Sequence, residues 1–206
     1  MVLTGDTQPR REFSQSDELK GAMQLIDVLE RSGLPVLVGY SSTEFVLWKA
    51  AGASACATGK FFNLRRFTRS RFEEPSDGGG QLPYWFEESL MAFLRESDLL
   101  RVQQAGDLSE ASQRNPYGRR ILDRISSAPG SAWLALSWRQ FLYAFSDLEA
   151  RIQGGRADVG VLLKDAEGLW RRLEDENVLM EEHRNDGTWI RQWRRALVEF
   201  LRDRRR

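Results

Sequence analysis

The first part of the chain changes from a helical to a strand-like pattern of apolar residues. Between Ser16 and Gly33, leucine, methionine and isoleucine recur at helical spacing, with Ser16 as N-cap and Gly33 as the stop. A short apolar run, rich in β-branched residues, follows at 34–40. Such a run is typical of a strand that is buried in a parallel sheet. The pattern therefore predicts a helix followed by a fully buried strand.

The next segment continues this alternation. Ser41 and Glu44 have the spacing of a capping box, and they predict a helix over 45–51 that Gly52 ends. Residues 53–57 are small and apolar, and they predict a second strand. Strand, helix and strand in this order form a parallel β/α unit. The carboxyl ends of the strands then share one edge, where α/β proteins bind ligands.

A sheet of two parallel strands leaves both of its edges unpaired and is rarely stable alone. Residues 16–72 therefore look like a piece of a larger sheet. Four explanations stay open. The first is that further strands lie in 61–67 or 178–182, and the second is that the helical half covers the edges. The third is that another subunit completes the sheet, and the fourth is that the chain is the C-terminal part of something longer.

The part of the chain after the triple glycine at 78–80 is patterned almost entirely as helices. We predict helices over 85–95, 98–104, 116–125, 132–152, 161–173 and from Thr188 onward. The longest has an apolar stripe of Leu134, Trp138, Phe141, Leu142, Phe145, Leu148 and Ile152. The helix from Thr188 onward is expected to bury one face, which consists of Trp189, Ile190, Trp193, Leu197, Phe200 and Leu201.

These patterns predict the organisation of the chain. Residues 1–15 are expected to be a flexible lead-in, 16–72 a β/α element, 73–83 a linker and 84–206 a Trp-rich helical domain. The predicted fold class is mixed α/β and mostly helical. Its short parallel β/α element would be part of a barrel or part of a sheet.

Residues 34–67 combine a strand, a helix, a Gly-Ala step and a basic, aromatic stretch, in the segment PVLVGYSSTEFVLWKAAGASACATGKFFNLRRF. This combination resembles the late β/α units of a (β/α)8 barrel and, more distantly, those of tRNA-guanine transglycosylase-like barrels. The resemblance implies a barrel-like architecture for this segment. Where such enzymes carry an acidic residue after the Gly-Ala step, this chain has Ser54, Ala55 and Cys56. The resemblance therefore implies no catalytic carboxylate here.

Composition limits the chemistry that is open to this chain of 206 residues. Its 30 basic and 30 acidic residues cancel, so the total charge points neither to nucleic acid nor to a membrane surface. One Cys and one His exclude an internal disulfide and are too few for a zinc site, whereas carboxylates for Mg²⁺ are plentiful. No apolar run approaches the roughly 20 residues of a membrane helix. We expect a cytoplasmic protein without a cofactor.

The most unusual stretch is 60–72, which has five basic residues, four phenylalanines and no acid. It lacks the spacing of a P-loop, but a looser anion site is open to it. The helix start after the first strand would supply N–H groups, the basic residues would supply charge, and the phenylalanines would stack on bases. The predicted phosphate- or nucleic-acid-binding residues are Ser41, Ser42, Lys60, Arg65, Arg66, Arg69 and Arg71. Alternatively, the phenylalanines pack into a core, and the arginines pair with the acids of 73–113 or with a partner protein.

Three further features have both a structural and a functional interpretation. Cys56 lies in a predicted strand and is expected to pack in the core, although a nucleophile is the alternative. His183 lies among charged residues, which is typical of a solvated side chain; the alternative is a catalytic base. Arg139, Tyr143 and Asp147 lie one helical turn apart and predict an ion-paired seam or the rim of a site.

The sequence shows no complete catalytic constellation, so catalytic residues stay unassigned and enzymatic activity is left open. We expect a non-catalytic interaction or regulatory subunit of a cytoplasmic complex. It would dock on a protein partner, or on a second copy of itself, through the incomplete sheet and a helical surface. The alternative is a protein that binds nucleic acid or nucleotide phosphate, or part of a β/α-barrel enzyme that acts on nucleic acid.

Overall fold

The computed structural model describes residues 13–59, 82–178, 180 and 186–205. The helices are α1 (Ser16–Arg31), α2 (Phe45–Ala50), α3 (Glu96–Gln104), α4 (Glu110–Arg114), α5 (Gly118–Ser127), α6 (Leu134–Gln153), α7 (Val159–Asp175) and α8 (Thr188–Arg204). The strands are β1 (Leu37–Val38), β2 (Ala55–Cys56), β3 (Trp85–Glu87) and β4 (Ala92–Leu94). The described chain is therefore mostly helical, as predicted. None of its helices combines the length and the apolar character of a membrane span.

The two predicted parallel strands pair with each other. Leu37 lies opposite Ala55, and Val38 lies opposite Cys56. The prediction that the first strand is fully buried is wrong, because Leu37 is 67% exposed. Cys56 on the second strand is buried. The described residues thus cover this small sheet on one face and leave much of the other face to solvent.

The prediction of a helix over 85–95 is wrong, because these residues form the antiparallel hairpin β3–β4. Phe86 lies opposite Phe93 in its register. A single turn of 3₁₀ helix, Glu88–Leu90, joins the strands, and Met91 adopts a left-handed conformation with φ of 50°. The segment consists of two short apolar runs on either side of Glu87, Glu88 and Ser89, and so short a pattern fits both helix and strand. Distant contacts therefore decide between the two.

Polar side chains of α6 supply those distant contacts along the edge of β3. Gln140 accepts a hydrogen bond from the Phe86 N–H (3.1 Å) and donates one to the Phe86 carbonyl (2.8 Å). Ser137 does the same for Tyr84, accepting from its N–H at 2.9 Å and donating to its carbonyl at 2.5 Å. The two side chains take the place of a third strand, so this edge of the hairpin is closed.

Glu87 is a fully buried carboxylate at the end of β3. One of its oxygens accepts hydrogen bonds from the Ser89 N–H (3.2 Å), the Ser89 hydroxyl (2.8 Å) and the Ser109 N–H (3.0 Å). The other accepts from Nε1 of Trp85 at 3.0 Å. This carboxylate ties the hairpin to the segment that leads into α4.

The helices predicted over 98–104, 116–125, 132–152, 161–173 and from Thr188 are present as α3, α5, α6, α7 and α8. The short helix α4 was not predicted. The buried faces of these helices differ in detail from the predicted ones. Leu142 and Leu201 were expected to be buried and are exposed, whereas Ser137 and Gln140 are completely buried. The face of α6 is therefore rotated from its apolar stripe, because Ser137 and Gln140 pair with β3.

Helix α1 packs against α8, so the two ends of the described chain meet. The contact combines an apolar core with ion pairs at its margin, Lys20 with Asp203 at 2.7 Å and Arg204 with Asp27 at 3.1 Å. Nε1 of Trp193 donates to the carbonyl of Phe13 at 2.6 Å. The resulting hydrophobic core is continuous from α1 and α2 to the helices of the second half.

Candidate functional site at the parallel strands

Glu30 at the end of α1 closes the amino-terminal ends of both parallel strands. Its carboxylate accepts hydrogen bonds from the Val36 N–H (2.8 Å), the Ser54 N–H (2.6 Å) and the Ser54 hydroxyl (3.0 Å). The Val36 N–H and then the Ser54 hydroxyl are the main causes that lower the pKa of Glu30. The carboxylate therefore holds the starts of β1 and β2 side by side.

Lys49 and Glu149 close the outer edge of β2. The buried Lys49 ammonium donates to the carbonyls of Ala53 (2.7 Å) and Ser54 (3.1 Å), and it lies 3.6 Å from the Glu149 carboxylate. Glu149 on α6 accepts the N–H of Cys56 at 3.0 Å. A helix side chain thus replaces a neighbouring strand here, as Gln140 does for β3.

The outer edge of β1 is different, because no other strand of the described residues pairs with it. The carbonyls of Val36 and Val38 accept hydrogen bonds from the N–H groups of Ala55 (3.2 Å) and Ala57 (2.8 Å). Successive residues of a strand point their backbone groups in opposite directions, so the N–H and C=O of Leu37 point away from β2. Within the described residues the sheet ends at β1.

Apolar side chains flank this open edge. Besides Leu37, Leu34 is 56% exposed and Tyr40 is 58% exposed, with Tyr40 in a left-handed conformation (φ of 58°). Pro35 precedes the strand and has no N–H to donate. We call the backbone edge of β1, together with the side chains of Leu34, Leu37 and Tyr40, the β1 surface.

The carboxyl ends of the strands do not form the predicted capping box. Glu44, not Ser41, is the N-cap residue of α2, and no side chain caps this six-residue helix. The Ser41 hydroxyl donates instead to the Val38 carbonyl at 3.2 Å, and its N–H donates to Ala57 at 2.9 Å. The Glu44 carboxylate accepts the N–H of Ser42 at 3.0 Å. The turn is therefore held by its own polar groups.

The predicted phosphate site is described only in part. Ser41 and Ser42 are neighbours, both buried, and both use their N–H groups inside the protein. The basic residues Lys60, Arg65, Arg66, Arg69 and Arg71 lie outside the described residues, and so does His183. Phosphate binding by these residues therefore stays a prediction. In the described part of the chain, no cluster of His, Cys, Asp and Glu is placed to hold a metal ion.

Cys56 is buried, as predicted, and burial raises the pKa of its thiol to about 12, with the Glu149 carboxylate adding to the shift. In the unfolded chain the thiol ionises near pH 8.5, about its ordinary pKa. The raised pKa stabilises the fold fully below that pH, and the contribution is lost as the pH rises toward 12. The arrangement disfavours a thiolate nucleophile near neutral pH.

This linkage predicts a difference between the wild-type protein and Cys56→Ala in alkaline solution. Above pH 9 the free energy of unfolding should fall more steeply in the wild type, by up to about 1.4 kcal/mol per pH unit. Urea unfolding of both proteins at several pH values measures the difference and cancels the titration of other groups. Parallel pH profiles of the two proteins would show that the thiol is not held neutral.

Sequence reasoning missed the residues that close the sheet. Glu30, Lys49 and Glu149 each reach a strand from a helix, and Glu149 lies 93 residues from Cys56 along the chain. One signal was available for Lys49: it is a charged residue in a short helix that is otherwise apolar, FVLWKA. A lysine in that setting needs a buried partner. No comparable local pattern marks Glu30 or Glu149.

Comparison with known proteins gives no relative of this chain: no family model matches it, and neither does any curated protein or solved structure.

Proposed function

We propose that this protein is a non-catalytic interaction subunit that binds a partner protein at the β1 surface. The observation that carries the proposal is the difference between the two edges of the parallel sheet. Glu149 and Glu30 satisfy the outward N–H groups of β2, whereas the backbone of Leu37 faces outward on β1. An edge of this kind is a template for another strand.

Strand addition would use the features of this surface in two ways. The outward backbone groups at Leu37 would provide hydrogen bonds that are independent of the partner's sequence. The side chains of Leu34, Leu37 and Tyr40 would contact alternate apolar residues of the added strand and provide selectivity. An added strand would also stabilise a sheet that has only two strands in the described residues.

The chemistry of the described sheet residues supports a binding role rather than catalysis. Glu30, Lys49 and Glu149 are occupied by backbone groups of the strands. Cys56 is buried with a raised thiol pKa. In the described part of this sheet, the charged side chains therefore support its backbone.

The proposal is tested by placing a charge on the β1 surface. Leu37→Asp should reduce co-purification of the partner by at least about tenfold, because an unpaired carboxylate would be buried beside the added strand. The measurement is the yield of stoichiometric partner with affinity-tagged protein, followed by mass spectrometry. A photoreactive benzoylphenylalanine at position 37 should form an adduct with the same partner.

Val198→Asp is the matched control, because Val198 is similarly exposed but lies on α8. It should leave both the yield and the fold unchanged. Equal yields from Leu37→Asp and Val198→Asp, or a wild-type protein that is monomeric and has no partner, would contradict the proposal. An adduct of twice the chain's mass would identify the partner as a second copy.

A further inference from the structure

The hairpin of α5 and α6 carries excess positive charge in a chain whose net charge is zero. Residues 115–146 include four arginines and a single acid, Asp123. Arg120 and Arg139 are exposed and form no ion pair or hydrogen bond with the described residues. Since no acid of the described residues neutralises these two arginines, their positive charge favours the binding of anions.

Two tyrosines lie at the surface of the same hairpin. The rings of Tyr117 and Tyr143 meet edge to face, with centroids 6.4 Å apart and an interplanar angle of 73°. Tyr143 is 47% exposed, and Tyr117 is half-buried. This contact favours one orientation of the Tyr143 ring, and the exposed part of the ring offers aromatic surface to solvent.

The spacing of residues along the two helices places the arginines near this pair of rings. The start of α5 lies against the middle of α6, where the Asn115 side chain donates to the Gln140 carbonyl at 2.9 Å. Arg120 follows Tyr117 by three residues, and Arg139 precedes Tyr143 by four, so each lies one helical turn away. Because the two helices run in opposite directions, both arginines lie on the same side of the rings. We call Tyr117, Arg120, Arg139 and Tyr143 the tyrosine–arginine cluster.

Nearby acids are occupied elsewhere or form no pair with the cluster. Asp147 pairs with Arg151 at 2.8 Å, and Arg151 also pairs with Glu88 at 2.5 Å, so the predicted ion-paired seam includes Asp147 but not Arg139. The Glu96 carboxylate accepts a hydrogen bond from Nε1 of Trp133 at 3.0 Å. Trp133 lies ten residues before Tyr143, which corresponds to about 15 Å along a helix, so Glu96 is held away from the cluster. Asp123 is exposed and pairs with neither arginine of the cluster.

We propose that the tyrosine–arginine cluster binds single-stranded nucleic acid, independently of the β1 surface. One base stacks on Tyr143, and two phosphates contact Arg120 and Arg139. The unpaired positive charge complements a polyanion. The exposed ring beside it favours nucleic acid over an acidic peptide, because bases offer flat aromatic faces and acidic side chains do not.

The test is fluorescence anisotropy with a fluorescein-labelled dodecamer of uridine, from about 50 to about 200 mM salt. Arg120→Ala with Arg139→Ala should weaken binding at least about tenfold and reduce the slope of log affinity against log salt by about 1.4, the value for two phosphates of a single strand. Tyr143→Ala should weaken binding roughly tenfold without changing that slope, and Tyr143→Phe should bind like the wild type.

Arg156→Ala with Arg191→Ala is the matched control, because both arginines are exposed, form no pair with the described residues and lie outside the hairpin. This variant removes the same charge and should retain the slope. The proposal is overturned if the wild type does not bind the dodecamer at the lowest salt, or if both double variants lose equal affinity. Binding of polyglutamate that competes with the dodecamer and is unchanged in Tyr143→Ala would instead indicate an acidic peptide ligand.

Discussion

Glu87→Ala is expected to lower the free energy of unfolding by about 3–5 kcal/mol. The substitution removes four hydrogen bonds from a carboxylate that is completely buried. It leaves the N–H groups of Ser89 and Ser109 and the indole N–H of Trp85 without their acceptor. Each buried donor that loses its acceptor costs about 1–3 kcal/mol. Urea unfolding followed by circular dichroism measures the loss.

Glu110→Ala is the control for this prediction. Glu110 pairs with Arg114 at 2.6 Å, but both side chains are largely exposed. A surface pair of this kind contributes less than about 1 kcal/mol, so the variant should be close to wild type. Similar losses of unfolding free energy in Glu87→Ala and Glu110→Ala would show that the buried carboxylate does not stabilise the β3–β4 hairpin.

Glu87→Gln separates the role of the acceptor from that of the charge. Glutamine keeps one oxygen, which can still accept from Ser89 and Ser109. Its amide nitrogen would face the indole N–H of Trp85, where two donors meet. The expected loss lies between those of Glu110→Ala and Glu87→Ala.

The parts of the fold that the sequence predicts are those that local patterns determine. The spacing of apolar residues predicts α1 and the three long helices α6, α7 and α8. Glycines mark the ends of helices: Gly33 follows the end of α1, and Gly154 is the C-cap residue of α6. The parallel pairing of Leu37 with Ala55 also follows from the order of strand, helix and strand.

Prediction failed where distant side chains decide the local structure. The segment around Trp85 has no clear period, and the hairpin forms because Ser137 and Gln140 bond to its edge across more than 50 residues. No local pattern of α6 reveals this role, since polar residues on a helix usually face solvent. The same limit explains why Leu142, which belongs to the apolar stripe, is exposed.

The candidate site shows the same division. The count of two strands predicted an incomplete sheet, and the open edge at Leu37 agrees with that expectation for the described residues. The sequence could not show which edge is open, because Glu149 reaches β2 from a distant helix. The predicted ligand groups at Ser41 and Ser42 are buried, because the turn uses their N–H groups itself.

Gly187→Ala is expected to lower the free energy of unfolding by about 2–4 kcal/mol, for two reasons that add. Gly187 caps the start of α8 with φ of +70°, a conformation that costs a residue with a side chain about 1–2 kcal/mol. A Cβ atom there would also overlap the indole ring of Trp170. That ring has little freedom to move, because its Nε1 donates to the Leu90 carbonyl at 2.9 Å and the ring packs edge to face with Trp189.

Two other glycines separate these contributions. Gly155 has φ of +67° but nothing near the position of a Cβ, so Gly155→Ala should show the backbone cost alone, about 1–2 kcal/mol. Gly168 lies in α7 with open space around it, so Gly168→Ala should stabilise the protein by about 0.5–1 kcal/mol. Thermal and urea unfolding of the three variants should therefore rank them Gly168→Ala, Gly155→Ala and Gly187→Ala in order of decreasing stability. If Gly187→Ala lost no more than Gly155→Ala, the Trp170 ring would have to be free to move, and the contact between α7 and the start of α8 would be looser than its geometry indicates.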